Sequence, residues 1–172
     1  VRVVLVHPPP HGEVPFRHIG LAYLRAMLAD AGFDVAMIDL SASEGRAGTD
    51  FYDEAILHLS RNVGDVSDSL DPRVLMEVLH PEVFDEPSAL SRAVVSRVDA
   101  LFEQVAAAGD VYLFTVNVLT YYFAARMARR LRAAGKRTAA GGPSTYFGPI
   151  RDLPLRCGAF DAVVGGEGEG AV

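Results

Sequence analysis

Apolar positions along this chain come in two patterns: short continuous runs, and longer stripes at helical spacing. Val1-Arg2-Val3-Val4-Leu5-Val6 is a nearly unbroken β-branched run ended by His7-Pro8-Pro9-Pro10, the pattern of a strand buried on both faces before a loop. From Gly20 onward, Leu21, Leu24, Met27, Leu28 and Ala31 recur on one helical face, and Gly32 can cap the helix. Phe33 to Asp39 reads as a second strand, so the first 40 residues predict a right-handed βαβ unit. Val111 to Val116 predicts a third strand, Tyr122 to Ala134 a helix stopped by Gly135, Lys136 to Ala140 a fourth strand and Phe160 to Val164 a fifth. Strands alternating with helices in this way predict an α/β fold: a doubly wound, parallel, five-stranded, Rossmann-like sheet in the flavodoxin-like order 2-1-3-4-5.

The stretch from Ser41 to Gly109 is too long for a plain connection and carries helical signals. Asp50 to Leu59 has a weak helical pattern, and Asp71-Pro72 reads as an N-cap followed by proline at the first helical position. Pro87-Ser88 opens a stronger helix whose stripe is Leu90, Ala93, Val94, Val98, Leu101, Phe102 and Val105. That last helix is expected to cover the sheet, and residues from about 45 to 87 form a helical insertion serving as a lid or docking surface.

With 172 residues, half of them apolar, one domain with an ordinary core is expected. A formal charge of -6 argues against a nucleic-acid backbone as partner. Six arginines and lysines from Arg126 to Arg137 read as a solvated helix face and its end. No apolar run reaches the roughly 18 residues of a membrane span. Val1 opens directly on a strand, so a cytoplasmic domain with a processed or trimmed start is expected. Cys157 is the only cysteine, which excludes an internal disulfide or a multi-thiolate metal site, and the five histidines show no ligand spacing.

In such folds ligands lie beyond the carboxyl ends of the strands, and the unusual loops leave from that edge. The first, from His7 through Pro9, Pro10 and His11 to His18, lacks the G-x-G-x-x-G of a dinucleotide site; its prolines read either as a flat ledge for a large apolar face or as a rigid strand exit. After strand three, Asn117 and Thr120 read either as ligand-facing polar groups or as helix caps. Two glycine pairs close strands four and five, in Gly141-Gly142-Pro143-Ser144 and Gly165-Gly166-Glu167-Gly168-Glu169. Paired glycines remove Cβ atoms where a ligand can meet bare backbone. The carboxylates of the second pair argue against a phosphate loop and leave it as an acceptor-bearing turn or a flexible lead into a helix. Ser144, His18 and Asp39 supply the residue types of a hydrolase triad, but no nucleophile elbow accompanies them.

Taken in order, Val3-Val4-Leu5-Val6-His7-Pro8-Pro9, Gly20-Leu21-Ala22-Tyr23-Leu24, Ala31-Gly32-Phe33-Asp34-Val35, Ile38-Asp39-Leu40, Gly141-Gly142-Pro143 and Asp161-Ala162-Val163-Val164-Gly165-Gly166-Glu167-Gly168-Glu169 resemble the N-terminal cobalamin-binding domain of B12-dependent radical S-adenosylmethionine enzymes. The resemblance covers nearly the whole chain. It implies that the corrin lies over the strand ends and that the dimethylbenzimidazole tail enters beside the glycine pairs. The cofactor-binding residues it implies are Pro9, Pro10, His11, His18, Asn117, Leu119, Thr120, Gly141, Gly142, Pro143, Ser144, Gly165, Gly166 and Glu167, with Asn117-x-Leu119 where related domains carry Ser-x-Leu.

Two departures qualify what the resemblance implies. Asp-x-His-x-x-Gly, whose histidine ligates cobalt in the methionine-synthase type, is missing, so base-off cobalamin without a histidine ligand is expected; His11 and His18 are the histidines able to approach the metal. Cys-x-x-x-Cys-x-x-Cys is also missing, so the [4Fe–4S] cluster and S-adenosylmethionine belong to a radical domain in cis, expected beyond residue 172. The whole enzyme is then expected to be a methyltransferase acting on a peptide or natural product. A self-contained cobalamin carrier or sensor, and a doubly wound interaction domain without a ligand, are the competing readings.

Overall fold

The computed structural model describes residues 1–9, 19–40, 71–117, 120–142, 145 and 158–165. In chain order these form β1 (Arg2–His7), α1 (Ile19–Asp30), β2 (Asp34–Asp39), α2 (Pro72–Leu79), a 3-10 turn (Pro81–Val83), α3 (Ala89–Ala106), β3 (Val111–Thr115), α4 (Tyr121–Ala133), β4 (Arg137–Gly141) and β5 (Ala162–Val163). The five strands make one sheet in the order β2-β1-β3-β4-β5, with every neighbouring pair parallel. This is the doubly wound order that the alternating runs and stripes predict. Gly32 caps α1 at φ +87, and Phe33 N–H closes the turn onto Leu28 C=O at 3.0 Å.

The largest departure is β5, of which only Ala162–Val163 of the expected Phe160 to Val164 forms strand. Phe160 leaves the ladder and packs edge-on against Phe114, ring centroids 5.8 Å apart. A buried aromatic ring stabilises more than one further ladder bond at a sheet edge.

The pleat sends alternate residues to opposite faces. Val4, Val6, Tyr112, Phe114 and Ala140 enter a large core beneath α2, α3 and α4. Val3, Leu5, Val35, Val111 and Leu113 point the other way, toward Leu21, Leu24 and Leu28 of α1. Among the described residues α1 is the only helix on that second face.

The start of α2 follows the sequence signal: Asp71 is the N-cap, its carboxylate accepting from Arg73 N–H at 2.8 Å, with Pro72 in the first turn. Its packing goes beyond that signal. Val74, Leu75, Val78 and Leu79 are buried in the same core as α3 and α4, each contributing about 2 kcal/mol, so this part of the expected insertion is a structural layer of the domain. Residues 41–70, including the weak pattern from Asp50 to Leu59, lie outside the described residues.

Glu77 of α2 is 1% exposed. Burial alone raises a carboxyl pKa, but hydrogen bonds from Ser91 Oγ (2.7 Å), Ser88 N–H (2.8 Å) and Arg73 Nε (3.0 Å) outweigh it and hold Glu77 down at about 2. The ionised carboxylate therefore clamps α2 to the first turn of α3, whose N-cap is Ser88.

The arginines of α4 do not form the solvated face expected of them. Arg126 donates to Leu79 C=O at the end of α2, Arg129 lies against His80, and Arg130 pairs with Asp99 while its guanidinium stands 3.8 Å from the Phe102 ring centroid. Arg132 reaches Asp161 at 2.8 Å and also donates to Gly158 C=O. These contacts tie α4 to α2, α3 and the start of β5. Neighbouring elements rise beside α4 and meet its polar face.

Candidate functional site

At the carboxyl edge of the sheet one row of residues lies level across the strands. His7 pairs with Asp39, and Thr115 with Gly141; one step beyond Val6–Phe114 brings His7 level with Thr115, and one step beyond Ala140–Val163 brings Gly141 level with Val164. By alternation from Leu5 and Leu113, this row faces the side that carries α1. Asp39, His7 and Thr115 thus place three polar side chains at the rim, followed by Gly141.

That same side is only half-buried over β4. In β4, Thr138 and Ala140 are buried on the helix-covered face, whereas Arg137 is exposed and Ala139 and Gly141 are half-buried on the other. Leu113, Thr115 and Val164 are also half-buried. A parallel sheet normally buries both faces. Here an apolar, small-residue strip over β3, β4 and the end of β5 is left partly uncovered by the described residues.

The two residues of the first glycine pair behave differently. Gly142 has φ +120, and a Cβ there would stand 2.8 Å from Val116 C=O and 3.0 Å from Val116 N. Its missing side chain is thus required by the adjoining strand end, whatever lies outside. Gly141 has no such constraint: a Cβ would meet Val164 Cβ at 3.7 Å, an ordinary contact. Of the two, only Gly141 could carry a Cβ without a clash or a backbone penalty. Gly165 is exposed at the end of the second turn.

Thr145 joins the two glycine turns. It is 2% exposed, and its hydroxyl lies 2.7 Å from Gly142 C=O and 2.8 Å from Val164 C=O. The single hydroxyl hydrogen serves both carbonyls, holding the end of β4 at a fixed distance from the end of β5.

Asn117 and Thr120 are brought together by the turn into α4. Thr120 N–H donates to Asn117 Oδ1 at 3.0 Å, and Asn117 N–H donates to Thr120 Oγ1 at 3.0 Å. These bonds close the turn ahead of α4, whose N-cap residue Thr120 makes no side-chain hydrogen bond to the helix amides. Thr120 is 1% exposed, so its hydroxyl is spent inside the turn, while Asn117 is half-buried at the rim. Pro9 is buried together with Pro8, and does not offer an open ledge. Pro10, His11, His18, Leu119, Pro143, Ser144, Gly166 and Glu167, like Cys157, lie outside the described residues.

His7 and Asp39 escaped the sequence reading as a pair. His7 is 2% exposed, and its Nδ1 lies 3.1 Å from Asp39 Oδ1. A carboxylate only accepts, so Nδ1 carries the hydrogen. The available signal was a polar residue ending each of two adjacent strands, which becomes a contact only once parallel pairing fixes the register. Thr115 was hidden in the same way, and Thr145 has no sequence signal that separates it from Ser144.

Among the described residues no group of three His, Cys, Asp or Glu side chains could hold a metal ion, and no helix is long and apolar enough to cross a membrane. A scan of family models matches no family, and a search of curated proteins gives no match.

Proposed function

We propose that this chain binds cobalamin at the carboxyl edge of its sheet, base-off and without a histidine ligand, as the module that positions the cofactor in a B12-dependent radical S-adenosylmethionine methyltransferase acting on a peptide or natural product. The observation that carries the reading is the partly uncovered strip over β3, β4 and β5, bordered by Gly141 at the rim. In a doubly wound sheet such a strip calls for a cover, and small residues suit a flat aromatic group better than a helix with interlocking side chains.

The fit to cobalamin rests on the chemistry of that strip. Leu113, Ala139 and Val164 supply apolar contact, Thr115 supplies a hydroxyl at the rim, and Gly141 leaves room between β3 and β5. Thr145 holds the two strand ends apart at constant spacing, and Gly142 locks the β4 turn against β3. Cobalamin, when bound, supplies methyl-transfer chemistry, and the protein's contribution is to bind and orient it.

Mixing the protein with hydroxocobalamin tests the reading. Co-elution on gel filtration, with a shifted absorption spectrum, is the expected result. No co-elution together with an unchanged spectrum refutes it and favours a doubly wound interaction domain.

A further inference from the structure

The junction between the end of α2 and α4 carries more positive charge than its own carboxylates balance. Arg126, Arg129 and Arg130 stand at i, i+3 and i+4 of α4 and so share one face, which meets the end of α2 and the side of α3. Asp99 of α3 answers two of them: its Oδ1 accepts from Arg130 Nη1 at 2.5 Å and lies 4.0 Å from Arg126 Nη2. Among the described residues no carboxylate pairs with Arg129. Its guanidinium lies against the ring of His80 instead, Nη1 2.5 Å from Nε2 and Nη2 3.0 Å from Nδ1.

That contact leaves a donor over. A neutral imidazole has one acceptor nitrogen and one N–H, so with either tautomer one ring nitrogen faces the guanidinium as a donor against a donor. Glu82 Oε1 lies 3.5 Å from His80 Nδ1, which places the hydrogen on Nδ1; Nε2 then accepts from Arg129 Nη1, and Nη2 is the group left without an acceptor on the ring. Arg126 Nε is likewise buried with no hydrogen-bond partner among the described residues. Arg129 is only half-buried and His80 keeps 29% of its side chain exposed, so an acceptor can arrive from solvent.

We propose that this junction is an oxyanion site, where Arg129 Nη2 and His80 Nδ1–H together donate to one phosphate or carboxylate group. Two N–H donors 3.0 Å apart suit the two oxygens of such a group, and the guanidinium supplies the charge. Glu82, exposed beside His80, is the chain's own competitor for the same donor. The site belongs to the helices packed on the face opposite α1, so it is separate from the strip proposed for cobalamin and stands whether or not cobalamin binds.

Titrating nitrogen-15-labelled protein with inorganic phosphate, against sodium chloride at equal ionic strength, tests the proposal. Saturable movement of the His80 ring-nitrogen resonances is expected. Acetate, titrated in parallel, identifies the source of the oxyanion: a response to both means that either group fits, and a response to one alone selects it. No response to either overturns the proposal. Arg129→Gln is expected to bind the responding anion about ten-fold more weakly, and Glu82→Gln, which removes the competitor, about three-fold more tightly. Unchanged affinity in Arg129→Gln overturns the proposal. Should that variant not fold, the exposed Glu82→Gln decides alone, and affinity equal to or below the wild type overturns it.

Discussion

Replacing each residue of the first glycine pair by alanine separates a glycine needed by the fold from one that we propose leaves room for the cofactor. At Gly142 two costs add. A φ of +120 is a region that side-chain-bearing residues rarely enter, worth about 1–3 kcal/mol of strain. The new Cβ also stands 2.8 Å from Val116 C=O and 3.2 Å from Thr115 Oγ1, and relieving such overlap costs about 1–3 kcal/mol more. Both neighbours belong to the end of β3 and its next residue, so little can yield. Gly142→Ala is therefore expected to lose about 3 kcal/mol in urea unfolding, and to melt roughly 6–12 °C lower for a domain of this size. At Gly141 the Cβ meets Val164 Cβ at 3.7 Å with no backbone penalty. Gly141→Ala is expected to change stability by under about 0.5 kcal/mol, yet to weaken hydroxocobalamin binding. A Gly142→Ala protein as stable as the wild type refutes the steric reasoning. A Gly141→Ala protein with unchanged cofactor affinity refutes the assignment of clearance to Gly141.

Three further outcomes follow from the same geometry. Glu77 has its folded pKa lowered from 4.5 to about 2, so its stabilisation of about 3 kcal/mol is complete above pH 4.5 and is lost as pH falls toward 2; urea midpoints of wild type and Glu77→Gln at pH 7 and pH 3 should converge on acidification, and parallel pH profiles would contradict the clamp. Thr145→Val removes the hydroxyl between Gly142 C=O and Val164 C=O and is expected to cost about 1–2 kcal/mol, with weaker hydroxocobalamin binding read by equilibrium titration. Tyr112→Phe strips the phenol that accepts from Gly109 N–H at 3.0 Å and donates toward Val105 C=O at 2.8 Å; a loss of about 1–3 kcal/mol in thermal unfolding is expected, and no loss would show that the end of α3 needs no such cap.

The strand order was legible because each strand is a short apolar run bounded by glycine or proline, and right-handed crossovers leave few ways to arrange five of them. The cap Asp71 and the helix start at Ser88 were legible for a local reason, since a capping side chain acts within three residues of itself. What was not legible depends on distance along the chain. The apolar stripe of α2 says that Val74, Leu75, Val78 and Leu79 are covered but not by what, so a core layer read as an insertion. His7 and Asp39 are 32 positions apart and become a pair only through parallel register. The glycine pair was found at once, but its two members carry different roles because Gly142 is set by φ and Gly141 by the space beside Val164.

The central claim is that cobalamin binds here base-off with no nitrogen below the cobalt. An electron paramagnetic resonance spectrum of the protein-bound Co(II) form tests it most directly. The account predicts loss of the nitrogen superhyperfine splitting that the benzimidazole gives in the free cofactor, with no new nitrogen coupling in its place. A bound-form spectrum that keeps nitrogen splitting, whether from the benzimidazole or from a histidine, would contradict it.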